Sequence, residues 1–557
     1  MEIANNVPGL LTLAITLPII GAVLLMFVPN RDGSKDGLVR YFALGVSLAT
    51  FAVTLLLWAG FDAASAEPFQ FVERASWIAA FKIEYYVGID GLSLMLLVLT
   101  GFLTPIALLS GWESIEKKVK EFSIFMLLLE ASMVGVFSAL DIFLFYVFWD
   151  FVLIPMYFLI GIWGYDQRTY AAVKFILYTM AGSVLMLVAI IGLAWMHQTA
   201  TGDYSFDLLK LYELQIPTDT QYWLFLAFTI AFIIKVPLFP FHTWLPDAHV
   251  QAPTPGSVIL AGVMLKMGGY GLIRLAFPLF PEAAWLFAPL LATLSVIAIV
   301  YGALVAMVQP DLKKLVAYSS VSHMGFVVLG IAAFNIQGVQ GASYQMLAHG
   351  VSTGALFCLV GMLSDRRHTR LISEFGGLKS LMPRFTAVAL IITLSSIGLP
   401  GMNGFIGEFL IMFGAFRWDS RFVVIAALGV ILSAVYMLWM FQRVFYGKVT
   451  NDHNKGLSDL SFREWAIVGP LAAVAIGMGV VPNVFLKPME PAVQRLVDRV
   501  QSRKPVVDIR AGAVLPPSMK PKTRIPGTPR PKTQHPTPQV MRVSEEPVLR
   551  SLGEGAR

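Results

Sequence analysis

Six ionisable side chains stand deep inside long apolar runs of this sequence, at positions where side-chain chemistry is costly to maintain. Asp150 lies in FLFYVFWDFVLIPMYF, Lys235 in AFIIKVPLFPF and Lys266 in SVILAGVMLKMGGYGL. His323, His349 and Glu408 occupy three later runs in the same way. A charge held at the centre of a bilayer costs about 2.5–3.5 kcal/mol on insertion scales, so such groups must face one another, backbone or water. Their types suit proton transfer. Burial weakens the hold of a lysine on its proton, a nearby carboxylate restores it, and histidine titrates close to neutrality. A lysine that is charged or neutral according to its carboxylate neighbour is a switchable proton carrier, and the reading favoured here makes Asp150 and Lys235 such a pair. The competing reading is a structural ion pair that locks helices together, with His323 as a hydrogen-bonded core histidine.

The elements that position these groups follow from hydropathy. The chain has 557 residues, of which 57% are hydrophobic and 14% charged. A soluble chain carries about 25% charged residues, so this deficit points to a bilayer as the solvent. Apolar runs of about 20 residues, each sufficient to cross a hydrocarbon core, recur from Leu10 to Phe485. They predict an all-α polytopic membrane protein with about fourteen spans. Basic residues concentrate in every second loop (Arg31 to Arg40, Lys117 to Lys120, Arg168, Lys313 and Lys314, Arg366 to Lys379, Lys448 and Lys455). This is the positive-inside pattern, and it places both termini on the outer side.

Two spans read as broken. Pro237 and Pro240 interrupt one, and Pro400 with a cluster of glycines interrupts the other, each removing backbone hydrogen bonds. Paired interruptions in two halves of a chain are a mark of inverted-repeat transporters. The expected organisation is 1–120 for spans one to three, 121–276 for a first five-helix repeat and 277–446 for a second. A last loop and helix then fill 447–500, and 501–557 form a tail. The net charge of +6 sits mostly in that tail, whose composition (KPKTRIPGTPRPKTQHPTP) cannot bury an apolar core and is expected to be disordered. It is not read as a nucleic-acid-binding arm. Cys358 is the only cysteine, so neither an internal disulfide nor a thiolate metal cluster is expected. No phosphate loop, dinucleotide fingerprint or zincin pattern is present, so no metal or cofactor-binding residues are assigned. The start MEIANNVPGL lacks a basic segment before its first apolar run, and a cleaved signal peptide is not expected. His242 and His249 flank the first break and are expected to cap it near an interface. Glu130 is read as a packing carboxylate.

Several long motifs occur in one order: VGIDGLSLMLL (87–97), LFPFHTWLPDAHVQAPTPGSVILAGVMLKMGGYGLIRL (238–275), DLKKLVAYSSVSHMG (311–325) and QMLAHGVSTGALF (345–357). Over roughly Tyr85 to Tyr446 the chain resembles the antiporter-like membrane subunits of proton-pumping NADH:quinone oxidoreductase, respiratory complex I. Within that family it is most similar to the M type (mitochondrial subunit 4), because GLPGMNGFIGEF places Glu408 where L-type chains carry lysine. The resemblance implies a proton path in which Asp150 modulates Lys235. It further implies transfer along Lys266, His349 and His323, with Glu408 as the terminal carboxylate. At Asp150 the family usually carries glutamate, so the charge is kept on a side chain one methylene shorter. NAD, FMN, iron–sulfur clusters and quinone are then expected in partner subunits. The implied partners are neighbouring L- and N-type chains and membrane lipids, in a bacterial cytoplasmic or mitochondrial inner membrane. A subunit of a multisubunit sodium/proton antiporter is the alternative.

Overall fold

The computed structural model describes residues 9–30, 32–504, 506–508 and 513–515. It is a helical membrane protein, and twelve segments among the described residues are long and apolar enough to cross a bilayer. In chain order, α1 (Leu10–Phe27) and α2 (Asp36–Gly60) precede a β-hairpin of β1 (Gln70–Ile78) and β2 (Ile83–Ile89). Then come α3 (Gly91–Ser110), α4 (Val119–Ser138), α5 (Ile142–Phe151), α6 (Leu153–Trp163) and α7 (Arg168–Thr201). A short α8 (Leu208–Glu213) leads to α9 (Thr218–Lys235) and α10 (Trp244–Gln251). The continuous helix α11 (Thr254–Leu279) follows. The second half comprises α12 (Pro281–Met307), α13 (Leu312–Ala332), α14 (Ile336–Arg367), α15 (Pro383–Ser396), α16 (Asn403–Trp418), α17 (Ser420–Phe445), α18 (Phe462–Val480) and α19 (Asn483–Ser502).

Aspartates start many of these helices. Asp90 accepts from the backbone N–H groups of Leu92 and Ser93, Asp141 from Phe143 and Leu144, and Asp311 from Lys313 and Lys314. Each satisfies donors that a helix N-terminus leaves unpaired, which matters most next to hydrocarbon. Helix α15 is capped from a distance: Asp459, in the loop before α18, accepts from Arg384 N and Phe385 N. Partial burial pushes this carboxyl up, but the backbone donors outweigh it and hold it below the usual range. The contribution to stability is therefore present above the ordinary aspartate range and is lost as pH falls through the lowered value.

Both interruptions sit in a helix that would otherwise cross the membrane. After α9 the chain turns through 236–243, and Leu238 N bonds back to Ile233 O at 2.8 Å. Trp244 Nε1 takes the freed carbonyl of Ile234 at 2.9 Å. After α15 the chain turns through 397–402, with Gly398 and Gly401 in the left-handed region at φ 72° and 90°. There Leu399 N bonds to Leu394 O at 3.1 Å. The two breaks thus share one bond pattern, reaching five residues back. Pro237 and Pro240 lie in the first turn and Pro400 in the second.

The most buried helices are α11 and α14, whose membrane-spanning windows are wholly enclosed. They pack on each other, with α9 against α11 and α16 against α13 and α14. Outer helices such as α2, α7 and α17 expose aliphatic and aromatic side chains along one face, as lipid-facing helices do.

Two elements differ from the sequence reading. Residues 70–89, left between spans there, form a hairpin with Glu73 opposite Val87 and Ala75 opposite Tyr85. The expected last span over 464–486 ends instead at Val480, before Pro482. A separate helix, α19, then runs to Ser502, with Met489, Val493, Val497 and Val500 turned into the protein. In the tail, Val506–Asp508 pairs with Ala513–Leu515. Apart from these strands and 501–504, where α19 ends, the tail expected to be disordered lies outside the described residues.

Candidate functional site

Four of the six singled-out residues meet where α11 of the first half packs against α14 of the second, beside α13 and α16. Lys266 lies on α11 between two π-helical stretches, Leu260–Met264 and Leu272–Ala276, and is fully buried. Such widened turns recur at functional sites because they re-aim side chains and free carbonyls. Lys266 Nζ bonds to the carbonyl of Ala261 and lies 2.7 Å from His349 Nδ1. The His349 and His323 rings have centroids 5.9 Å apart. His323 Nδ1 lies 2.9 Å from Glu408 Oε1, which also accepts from Gln345 Nε2 at 3.1 Å. The second helix break places the carboxylate, since a Cβ at Gly398 would sit 3.1 Å from Glu408 Oε2. The result is a buried row of amine, imidazole, imidazole and carboxylate contributed by α11, α14, α13 and α16.

Each histidine in the row engages one neighbour through Nδ1, while its buried Nε2 has no protein partner among the described residues. An imidazole can take a proton on one nitrogen and release it from the other, so this arrangement is suited to relay in either direction.

The other two residues are placed differently. Lys235 is the last residue of α9, at the lip of the first break, and is 1% exposed. Its Nζ has no hydrogen-bond partner among the described residues and lies 5.1 Å from the ring centroid of Trp149 and 5.9 Å from that of Phe175. The ring faces supply the compensating negative potential. Asp150, one residue beyond Trp149, bonds instead to the hydroxyl of Ser183. No Asp150 oxygen lies within 4.0 Å of the ammonium, so the competing reading of a direct structural ion pair between these two residues is corrected. The glycines of α11 let α9 pack closely against it, because a Cβ at Gly268 would lie 2.6 Å from Phe232 O on α9.

A buried arginine–aspartate pair in the structure was not read from the sequence. Arg274 Nη2 lies 2.6 Å from Asp90 Oδ2, and Ser93 and Tyr270 complete the group. Arg274 stands in an apolar run (YGLIRLAF), which was the available signal. Asp90→Asn leaves this guanidinium buried without its counter-charge and is expected to cost about 3–5 kcal/mol. The check is the thermal unfolding midpoint of the purified protein, with replacement of both partners by apolar residues expected to recover much of the loss.

His249 also departs from its expected capping role. It is fully buried and stacked on Phe357 with ring centroids 4.5 Å apart, and neither ring nitrogen has a partner among the described residues. His242 is likewise buried, against Phe239 and Tyr301. Glu130, for which no partner was visible in sequence, accepts from Ser47 Oγ at 3.2 Å. Cys358 is a buried core side chain.

A helical membrane fold with two broken helices and a buried row of titratable groups defines a class of ion-translocating membrane subunits, and the comparisons agree. Residues 139–434 match the family model described as NADH:quinone oxidoreductase/Mrp antiporter, TM, and the chain belongs to that family. It is 46% identical to NADH-quinone oxidoreductase subunit M of Rhodobacter capsulatus, over 88% of this chain and 96% of that one. NADH-ubiquinone oxidoreductase chain 4 of Arabidopsis thaliana is also 46% identical, over 88% and 97%. Among solved structures, a chain of respiratory complex I from Thermus thermophilus with bound NADH matches with TM-score 0.80 and 31% identity, covering 88% of this chain and 99% of that chain. A chain of the Mrp complex from Dietzia matches with TM-score 0.72 at 23% identity, which shows a shared fold.

Proposed function

We propose that this chain is the M-type, proton-translocating subunit of the membrane arm of an NADH:quinone oxidoreductase. The observation that carries the reading is the contact row Lys266, His349, His323 and Glu408, buried in a chain whose relatives are subunits of that enzyme. Asp150 biases Lys235 through space, Lys235 exchanges protons with Lys266, and Glu408 delivers them toward the opposite side or a neighbouring subunit. Twelve uninterrupted crossings and the two broken ones give fourteen, ten of them forming two five-helix inverted repeats over 121–276 and 277–446. The matching bonds at the two breaks support that division.

The nicotinamide, flavin, iron–sulfur and quinone chemistry belongs to partner subunits, and L- and N-type chains are the proposed neighbours. Moving one charge against 100 mV takes about 2.3 kcal/mol, so redox energy must reach this chain through those contacts. The alternative is a sodium/proton antiporter subunit, with which the chain shares its fold. The test is proton uptake by inverted vesicles that carry the complex, driven by NADH in one sample and by a sodium gradient in another. NADH-driven, quinone-dependent uptake is the expected result; uptake driven by sodium alone would assign the chain to the antiporters.

A further inference from the structure

A charged cavity that shares no residue with the proton row opens where α19 crosses the ends of α3 and α11 on the face opposite the basic loops. Its volume is about 210 Å³, and its polar lining comprises Asp90, Tyr212, Arg274, Arg495 and Arg499. Arg274 neutralises Asp90, which leaves the charge of two guanidinium groups without a carboxylate inside the cavity. Neither Arg495 nor Arg499 lies within 4.0 Å of any carboxylate among the described residues, and Glu213 acts on Arg499 only through space. Each guanidinium has five N–H donors. Arg495 spends one on Pro68 O at 3.0 Å, and Arg499 bonds to Pro278 O at 2.8 Å and to Tyr212 O. Free donors therefore remain on both, four residues apart on one helix. The rest of the cavity wall is mostly apolar.

The position of α19 points to the source of an anion. Its stripe of Met489, Val493, Val497 and Val500 packs on the ends of the membrane helices, while its charged residues stay at the rim. An amphipathic helix so placed lies at headgroup depth, where paired arginines offer fork-shaped donors to phosphate oxygens. An apolar wall beside those donors suits the glycerol and first methylenes of a lipid. We propose that this cavity binds a phosphate group, carried by an acidic phospholipid, and that the bound headgroup fixes α19 onto the bundle.

The test uses the intact complex in nanodiscs and follows amide hydrogen exchange over 483–502. Three conditions are compared: phosphatidylcholine alone, phosphatidylcholine with phosphatidylglycerol, and phosphatidylcholine with inorganic phosphate. Phosphatidylglycerol is expected to slow exchange roughly tenfold through binding linkage, with no such effect from free phosphate. Arg495→Gln removes free donors but leaves the Arg499 clamp, so α19 stays folded in phosphatidylcholine and the slowing is lost. Slowing by inorganic phosphate alone would keep the phosphate site but overturn its lipid source. Equal exchange in all three conditions, or slowing that survives in Arg495→Gln, would overturn the site.

Discussion

Lys266→Ala is expected to abolish NADH-driven proton uptake while the complex still assembles. The ammonium is the only group on α11 that reaches the row, and it is in direct contact with His349 at 2.7 Å. Alanine removes both the proton donor and the link, and losses of 10²-fold or more are usual when a positioned acid–base group is removed. Lys266→Arg sharpens the test. It keeps a positive charge in place, but a guanidinium does not release its proton in a protein. A relay therefore fails with arginine as it does with alanine, whereas a lysine needed only as a fixed charge would be replaced with activity retained. The measurement is dye-reported uptake in inverted vesicles, with complex content determined on the same membranes.

Glu408→Gln is expected to lower proton uptake about tenfold or more, with little effect on assembly. The amide is nearly isosteric with the carboxyl, and its oxygen can still accept from Gln345 and from His323 Nδ1. What it loses is the ability to take and release a proton. The drop should appear as fewer protons taken up per NADH oxidised. A native ratio in Glu408→Gln would remove this carboxyl from the path and leave it a packing role beside Gly398.

Much of this arrangement was legible in the sequence, for identifiable reasons. The spans are legible because length and apolarity are dictated by the bilayer, and the breaks because proline cannot donate a backbone hydrogen bond. Depth within a span was legible too, and it singled out Lys266, His323, His349 and Glu408, which the structure brings into contact. Lateral placement was not. Asp150 and Lys235 share the depth of an ion pair, yet the indole of Trp149 lies against the ammonium while Ser183 holds the carboxylate.

Arg274 and Asp90 show the opposite failure. Their 184-residue separation hides the pair, and Asp90 reads locally as a helix cap, which it also is. The hairpin over 70–89 mixes charged and apolar residues too irregularly to announce a strand. Helix α19 carries too many charges to register as apolar, and its buried stripe becomes visible only against the bundle.

The most direct test of the central claim is NADH-driven proton uptake by inverted vesicles carrying Lys235→Ala, with quinone reduction and assembly measured on the same sample. Loss of uptake and of coupled NADH oxidation in an intact complex is the predicted result, because the proposed path runs through the ammonium of Lys235, which has no hydrogen-bond partner among the described residues. Uptake at the native ratio of protons to NADH would contradict the account and reduce the buried charges to a scaffold.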